Sequence, residues 1–300
     1  MNLEYLKQAY FELDIPVPFL NFKISPAKVK DYYSFHWAMD CLTLEKNKDP
    51  NGIVLSYLDY LLKKIEEETN SEFWIKLTTI LEIILGVENG IYCEECGFEK
   101  HLQEVSVSLN KLSEMKNPDP EDFEKLYNKE LGICQNCGGR MLDIITYGFD
   151  DKKKGYLKIK DTILKKELFE EFKQIVCYQN MPDYNDDYID PALEAELKEV
   201  ERLKNKNIIF PSLEKQMCCV VTGSSYTFEN LQNLSLRKFV LLLRTIDAKL
   251  HYQIYKMNEN SGAVTFKNGL DHWIYETKRT ILDSIVTLDT IKEKMKHVAK

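Results

Sequence analysis

Two short cysteine pairs constrain this chain more than any other feature: Cys93-Glu94-Glu95-Cys96-Gly97 and Cys134-Gln135-Asn136-Cys137-Gly138. Two thiolates three positions apart can reach one ion from a single tight turn, and two such turns supply the four ligands of a closed tetrahedral site. The glycine after each second cysteine permits the positive φ at which the backbone turns past a metal. The spacing therefore predicts one structural Zn2+ held by Cys93, Cys96, Cys134 and Cys137. Four thiolates leave no position open, so such an ion holds a fold together and does not activate water. A redox C-x-x-C is the rival reading, but a thioredoxin-like site needs one pair at a helix start and not two glycine-followed pairs. His101, five residues past Cys96, is a weaker competitor because the cysteines already fill the shell.

Strand-like flanks, Ile91-Tyr92 before one pair and Met141 to Tyr147 after the other, make the pattern a zinc ribbon. The pairs stand 37 residues apart, more than the ~15–20 of compact ribbons. The surplus predicts an insertion: an apolar run from Val105 to Leu112, a linker with Pro118 and Pro120, and a short helix near Glu121 to Leu131. Residues 91–150 carry 12 acidic side chains against six basic ones, and the whole chain has 40 Lys and Arg against 48 Asp and Glu. That field repels phosphate backbones and anionic lipid, so the ribbon reads as protein-facing. The one basic run, Lys152-Lys153-Lys154 with Lys158, Lys160, Lys165 and Lys166, leads into a helix expected near Asp161 to Tyr178. It reads as a solvated helix face, with phosphate contact as the alternative.

The rest of the chain is patterned for helices. A short one opens it and runs into an extended arm at Pro16 and Pro18. A second starts at Ser25, with Pro26 at its first position, and continues to Leu42. Amphipathic stretches from Ile53 to Glu68 and Glu72 to Val87 form an antiparallel pair across Asn70-Ser71. Acidic, Tyr-rich Pro182 to Asp190 is the main boundary. Beyond it, helices open at Pro191, after Ser212 and after Ser235. The last, Leu236 to about Asn258, has enough apolar residues to bury a face on both sides and to form the core of a C-terminal domain. A small hairpin is expected at Val264 to Phe266 and Asn268-Gly269. The fold class is mainly α (α+β): a helical N-terminal part (1–90), an inserted four-cysteine zinc ribbon with short antiparallel strands (91–150), a basic helix and acidic linker (151–190), a helical C-terminal domain (191–280) and an amphipathic terminal helix (281–300).

No catalytic motif stands out. The five histidines form no H-E-x-x-H, and there is no phosphate loop, G-x-G-x-x-G or G-x-S-x-G. Vicinal Cys218-Cys219 reads as packed in a core, and Asp186-Asp187 as a soluble acidic loop. The opening residues match neither a secretory signal nor a transit peptide, which predicts a cytosolic start, and no apolar run reaches the ~18–20 residues of a membrane span. The terminal stripe is more informative. Ile281, Ile285, Leu288, Ile291, Met295 and Val298 recur at spacings of three and four, which suits docking on the chain's own core, or on a groove or coiled coil in a partner.

Together, the Ile15-Pro16-Val17-Pro18 arm, the Ser56-Tyr57-Leu58-Asp59-Tyr60-Leu61 stretch, the cysteine pairs and the Leu234 to Tyr255 helix resemble phage proteins of the baseplate hub assembly and tail assembly chaperone type. Some of these carry a four-cysteine insertion after a helical N-terminal part. The resemblance implies a non-enzymatic scaffold or chaperone that binds other tail or baseplate proteins, with a homo-oligomer as a further option. It also implies a place in the bacterial host cytoplasm or the virion tail, with Cys93, Cys96, Cys134 and Cys137 as metal ligands. The long helical C-terminal half departs from short chaperones of this type. A zinc-ribbon nucleic-acid-binding or transcription-associated factor is the alternative, supported by the ribbon and the lysine run and opposed by the acidity around the cysteines.

Overall fold

The computed structural model describes residues 3–46, 49–50, 52–67, 72–113, 120–184, 191–204, 211–262 and 272–274. The fold is α+β, with helices at both ends and small antiparallel sheets between them. Helix α1 (Leu3–Glu12) leads into strands β1 (Val17–Phe19) and β2 (Phe22–Ile24), so the expected arm is a two-stranded hairpin. Its turn, Leu20-Asn21, places Leu20 at φ 51°.

Ser25 does not cap a helix. Its N–H donates to the Ile84 carbonyl (2.9 Å), Ala27 N–H to Asn180 Oδ1 (2.7 Å) and Val29 N–H to the Leu234 carbonyl (2.9 Å). Val29 N–H, which a helix capped at Ser25 would return to the Ser25 carbonyl, is thus claimed by a partner distant in sequence, and α2 begins only at Tyr32 (Tyr32–Met39). Helix α3 (Tyr57–Glu67) starts later than Ile53 for a local reason. The Ser56 hydroxyl accepts from Asp59 N–H (3.1 Å) and donates to the Asp59 carboxylate (2.6 Å), a side-chain cap that fixes the first turn. Helix α4 (Glu72–Leu85) follows and lies against both α3 and α2.

After the four-cysteine module comes a three-stranded sheet of β6 (Ile145–Phe149), β7 (Gly155–Ile159) and β8 (Thr162–Leu164), and then helix α7 (Lys166–Asn180). The helix expected from Asp161 is therefore corrected. Lys158 lies in β7, Lys160-Asp161 is the two-residue turn between β7 and β8, and Lys152–Lys154 tip the β6–β7 loop. Alternation decided this: Gly155, Leu157 and Ile159 are buried while Tyr156 and Lys158 are half-buried, a period of two and not 3.6. Strand β6 pairs with β7 and not with the cysteine module.

Helices α8 (Pro191–Lys204), α9 (Leu213–Gly223), α10 (Phe228–Gln232) and α11 (Leu236–Asn260) complete the described chain. Ser212 and Ser235 cap α9 and α11 as expected, accepting from the N–H groups of Lys215 and Lys238. The C-terminal helices share the core of the N-terminal part. One apolar cluster runs from Phe11 through Leu61, Ile80, Leu157 and Phe172 to Val220, Leu231 and Phe239. Residues 27–29 and 234–236 are stitched together by Val29 N–H to the Leu234 carbonyl and Leu236 N–H to the Ala27 carbonyl.

The reading of α11 as buried on both faces is also corrected: only Leu236 and Phe239 are fully buried, and beyond Ile246 the helix leaves the core. Cys218 and Cys219 are exposed on α9 rather than packed, while their neighbour Val220 takes the core position. No helix among the described residues is long and apolar enough to cross a membrane. The hairpin expected at 264–269, Asp186-Asp187 and the terminal stripe lie outside the described residues.

Candidate metal centre

Strand β3 (Gly90–Cys93) pairs on one side with β4 (Glu99–His101) and on the other with β5 (Met141–Asp143). Each cysteine pair sits in a knuckle of the same construction. In the first, Cys93 N–H donates to the Phe98 carbonyl (2.8 Å) and Gly97 N–H to the Cys93 carbonyl (2.9 Å); in the second, Cys134 N–H donates to the Gly139 carbonyl (2.7 Å) and Gly138 N–H to the Cys134 carbonyl (2.9 Å). Gly97 and Gly138 adopt φ of 73° and 79°, where a side chain is strained. The register Cys93↔Met141 draws the knuckles together.

All four sulfurs lie within 4.8 Å of one another, with Cys93 Sγ 3.4 Å from Cys137 Sγ and Cys96 Sγ 3.5 Å from Cys134 Sγ. A tetrahedral ion with metal–sulfur bonds of about 2.3 Å separates its sulfurs by ~3.8 Å, inside this range. The four sequence-predicted ligands are thus brought to one point where they can hold a metal ion. Cys93 and Cys134 are buried, Cys96 and Cys137 exposed, so the site lies at the edge of the module with one side toward solvent.

Crowding of four sulfurs splits their acidities. Burial pushes the Cys134 thiol up, but the N–H groups of Asn136 and Cys137 and the neighbouring sulfurs outweigh it and hold the group at about 7. For Cys137, Gly139 N–H favours the thiolate, yet the Cys93 and Cys96 sulfurs push it up to about 12. The cluster accommodates negative charge on one sulfur and resists it on the next. A divalent cation removes that conflict by letting all four ionise.

The module has a small core of its own: Ile91, Cys93, Leu112, Leu131, Cys134 and Met141, with Phe98, Val105 and Leu126 packed against them. The 37-residue gap is filled by helices α5 (Leu102–Ser113) and α6 (Pro120–Tyr127), followed by one wide turn, Asn128–Gly132. Buried Ser108 and the Glu130 carboxylate (3.2 Å), with Lys100 donating to Ser108 (3.0 Å) and to the Glu130 carbonyl (2.7 Å), tie the insertion to β4. The module is tethered to the main body by Lys160 to Glu99 (2.6 Å) and by the Tyr92 hydroxyl donating to Asp161 (3.1 Å).

His101 is not a ligand: it is exposed, with Nδ1 3.3 Å from Glu88. Gly139 belongs to the site beside the four sequence-predicted ligands. Its N–H points at Cys137 Sγ (3.4 Å), and a Cβ there would come within 3.1 Å of Cys93 Sγ and 2.8 Å of the Glu95 carboxylate. The doublet Gly138-Gly139 was the signal: the first glycine turns the chain and the second lets it pass the sulfurs. No family model matches the chain, no curated protein is detectably similar to it in sequence, and no solved structure resembles it detectably.

Proposed function

We propose that the ion is zinc and that this chain is a non-enzymatic interaction protein, working in assembly of a contractile phage tail or baseplate by binding other proteins of that structure. Four thiolates at tetrahedral spacing suit zinc, with iron as the other ion of that donor set. One observation carries the interaction reading. The insertion between the knuckles turns apolar surface outward: Leu102, Val107, Leu109, Phe123, Tyr127 and Ile133 are all exposed, and α6 buries none of its residues. Phe123 and Tyr127 stack at 6.5 Å on that surface. Glu121, Asp122 and Glu124 flank them, so the matching partner surface is apolar with a basic rim. The tail-assembly setting comes from the sequence resemblance alone.

The test is native mass spectrometry of the full chain co-expressed with the proteins encoded beside it. A stoichiometric protein complex that is lost in Phe123→Glu/Tyr127→Glu, with metal retained, supports the reading. Persistence of the complex in that variant removes the insertion as the contact. A second reading, nucleic-acid binding, is favoured by the exposed Lys152–Lys154 tip. There Asp150 accepts from the backbone N–H groups of Lys152 (2.9 Å) and Lys154 (2.8 Å), which orders the backbone of a loop carrying three exposed lysines. A salt-sensitive shift of DNA or RNA at physiological ionic strength supports that reading, and no shift at low salt removes it.

A further inference from the structure

The two knuckles meet through their sulfurs in a particular pairing. Cys93 Sγ lies 3.4 Å from Cys137 Sγ, and Cys96 Sγ 3.5 Å from Cys134 Sγ. Each contact runs from one knuckle to the other, and each joins a buried cysteine to an exposed one: Cys93 and Cys134 are buried, Cys96 and Cys137 exposed. Holding a metal requires only that the four sulfurs share one point. Contact across the knuckles, with one partner of each pair open to solvent, gives them a second chemistry.

A cysteine that reacts with an oxidant and stores the result as a disulfide needs its thiolate form, access, and a second sulfur within reach. The site meets each requirement twice. A divalent cation keeps the sulfurs that bind it deprotonated. The tips of the knuckles, residues 94–97 and 135–138, are exposed, so Cys96 and Cys137 face solvent. The partner sulfur is already in contact, and a disulfide of ~2.05 Å asks each pair to close by about 1.4 Å. The surroundings select the oxidant. Glu94 and Glu95 are exposed at the first tip. A Cβ on Gly139 would stand 2.8 Å from the Glu95 carboxylate and 3.1 Å from Cys93 Sγ, which places that carboxylate beside the sulfurs. Negative charge there repels anionic oxidants and favours an uncharged hydroperoxide.

We propose that the four-cysteine site is a modification site for hydroperoxides, oxidised to the disulfides Cys93–Cys137 and Cys96–Cys134 with loss of its ion. With hydrogen peroxide, Cys137 Sγ attacks one oxygen; an S–O bond forms as the O–O bond breaks, and the displaced hydroxide takes a proton and leaves as water. Cys93 Sγ then attacks the Cys137 sulfur; the S–S bond forms as the S–O bond breaks, and the second hydroxide takes a proton and leaves as water. Two thiolates, one peroxide and two protons thus give one disulfide and two waters, the sulfurs losing the two electrons that the peroxide gains. Cys96 and Cys134 repeat the sequence. All four ligands are then consumed, and the site no longer holds a cation. Loss of the ion rests on the reading of the site as a metal centre; the pairing of the sulfurs does not.

The experiment uses full-length Cys218→Ser/Cys219→Ser protein, which lacks the exposed thiols outside the site, treated with hydrogen peroxide. A chelating dye should report one zinc ion released for every two disulfides formed, and a thiol reductant with added zinc should restore the site. Cleavage after Glu95 puts Cys93 and Cys96 on separate peptides. Without reduction both should be joined to the peptide carrying Cys134 and Cys137, and fragmentation should assign Cys93 to Cys137 and Cys96 to Cys134. Disulfides within a knuckle, a Cys93–Cys134 link, or sulfinic acids without disulfides would overturn the proposal. So would a zinc-loaded chain that keeps its ion and its four thiols in excess peroxide, a result that leaves the zinc reading intact. Cross-knuckle disulfides in a chain that carries no metal as purified would uphold the pairing and remove the zinc reading.

Discussion

Gly138 shows how a single residue can serve the candidate metal site without being one of its ligands. At φ 79° its conformation costs other residues about 1–2 kcal/mol, while nothing lies within 4 Å of where a Cβ would stand. Gly138→Ala should therefore weaken metal binding through the backbone alone, by roughly tenfold for ~1.4 kcal/mol, read by competition with a chelating dye. Lys76 is the counterpart in the main core. It is 6% exposed on α4, yet its ammonium meets Asp40 and Glu72 at 2.8 Å each and lies 5.3 Å from the rings of both Trp37 and Phe73. Burial pulls its pKa down, and the two carboxylates outweigh burial and leave it raised. A raised lysine gives stability that is present below its ordinary value of 10.5 and lost as pH climbs through the folded value. Lys76→Met keeps the packing and leaves both carboxylates in water, so it should cost about 1–2 kcal/mol at pH 8. The gap in urea midpoint between wild type and variant should narrow above pH 10.5; a constant gap would show that packing and not charge is at stake.

At the scale of elements, the β6–β7 hairpin is locked to α3 by one carboxylate. Asp59 Oδ1 accepts from Gly155 N–H at 2.6 Å while Oδ2 accepts from Ser56. A side chain at 155 would strike Leu62 Cδ1 at 2.7 Å, so the close approach of strand and helix there requires glycine. Asp59→Ala removes both the cap and the cross-element bond, and a loss of about 1–3 kcal/mol is expected by urea unfolding. Such contacts explain which elements could be read from sequence. Helices α9 and α11 and the cysteine knuckles announce themselves through local chemistry: a serine cap, a glycine at positive φ, a fixed spacing. The Ser25-Pro26 pattern does not start a helix because the distant Leu234 carbonyl takes Val29 N–H, the donor that the first intrahelical bond would need. The lysine run of 152–166 conceals a strand because its lysines stand mostly in the turns on either side of β7, with Lys158 alone inside the strand, and the burial of Leu157 and Ile159 is set by a core to which distant α3 contributes. Cys218-Cys219 misled in the same way, since the choice of Val220 over its neighbours is made by the helices it meets.

For the whole molecule, two separate apolar clusters predict two separable stabilities. The main cluster runs from Phe11 to Phe239 and takes one buried side chain, Tyr92, from the cysteine module. The module's own cluster holds six residues, two of them cysteines. A core of that size does not sustain a domain unaided, and a structural zinc site contributes an apparent ~10–16 kcal/mol to small metal-folded domains. The module should therefore open when the ion is lost, while α3, α4, α7 and the β6–β7 sheet stay folded. That asymmetry distinguishes a metal that folds the chain from one that merely adheres to it.

The most direct test is elemental analysis and amide exchange on the full chain purified without added metal, beside Cys93→Ser. The account predicts one zinc per chain and slow exchange in residues 90–93 and 141–143 of the wild type. In the variant it predicts no bound zinc and fast exchange in those strands, with exchange in the main core unaltered. A metal-free wild-type chain whose β3 and β5 amides are nonetheless protected, or a Cys93→Ser chain that keeps both its zinc and that protection, would contradict it.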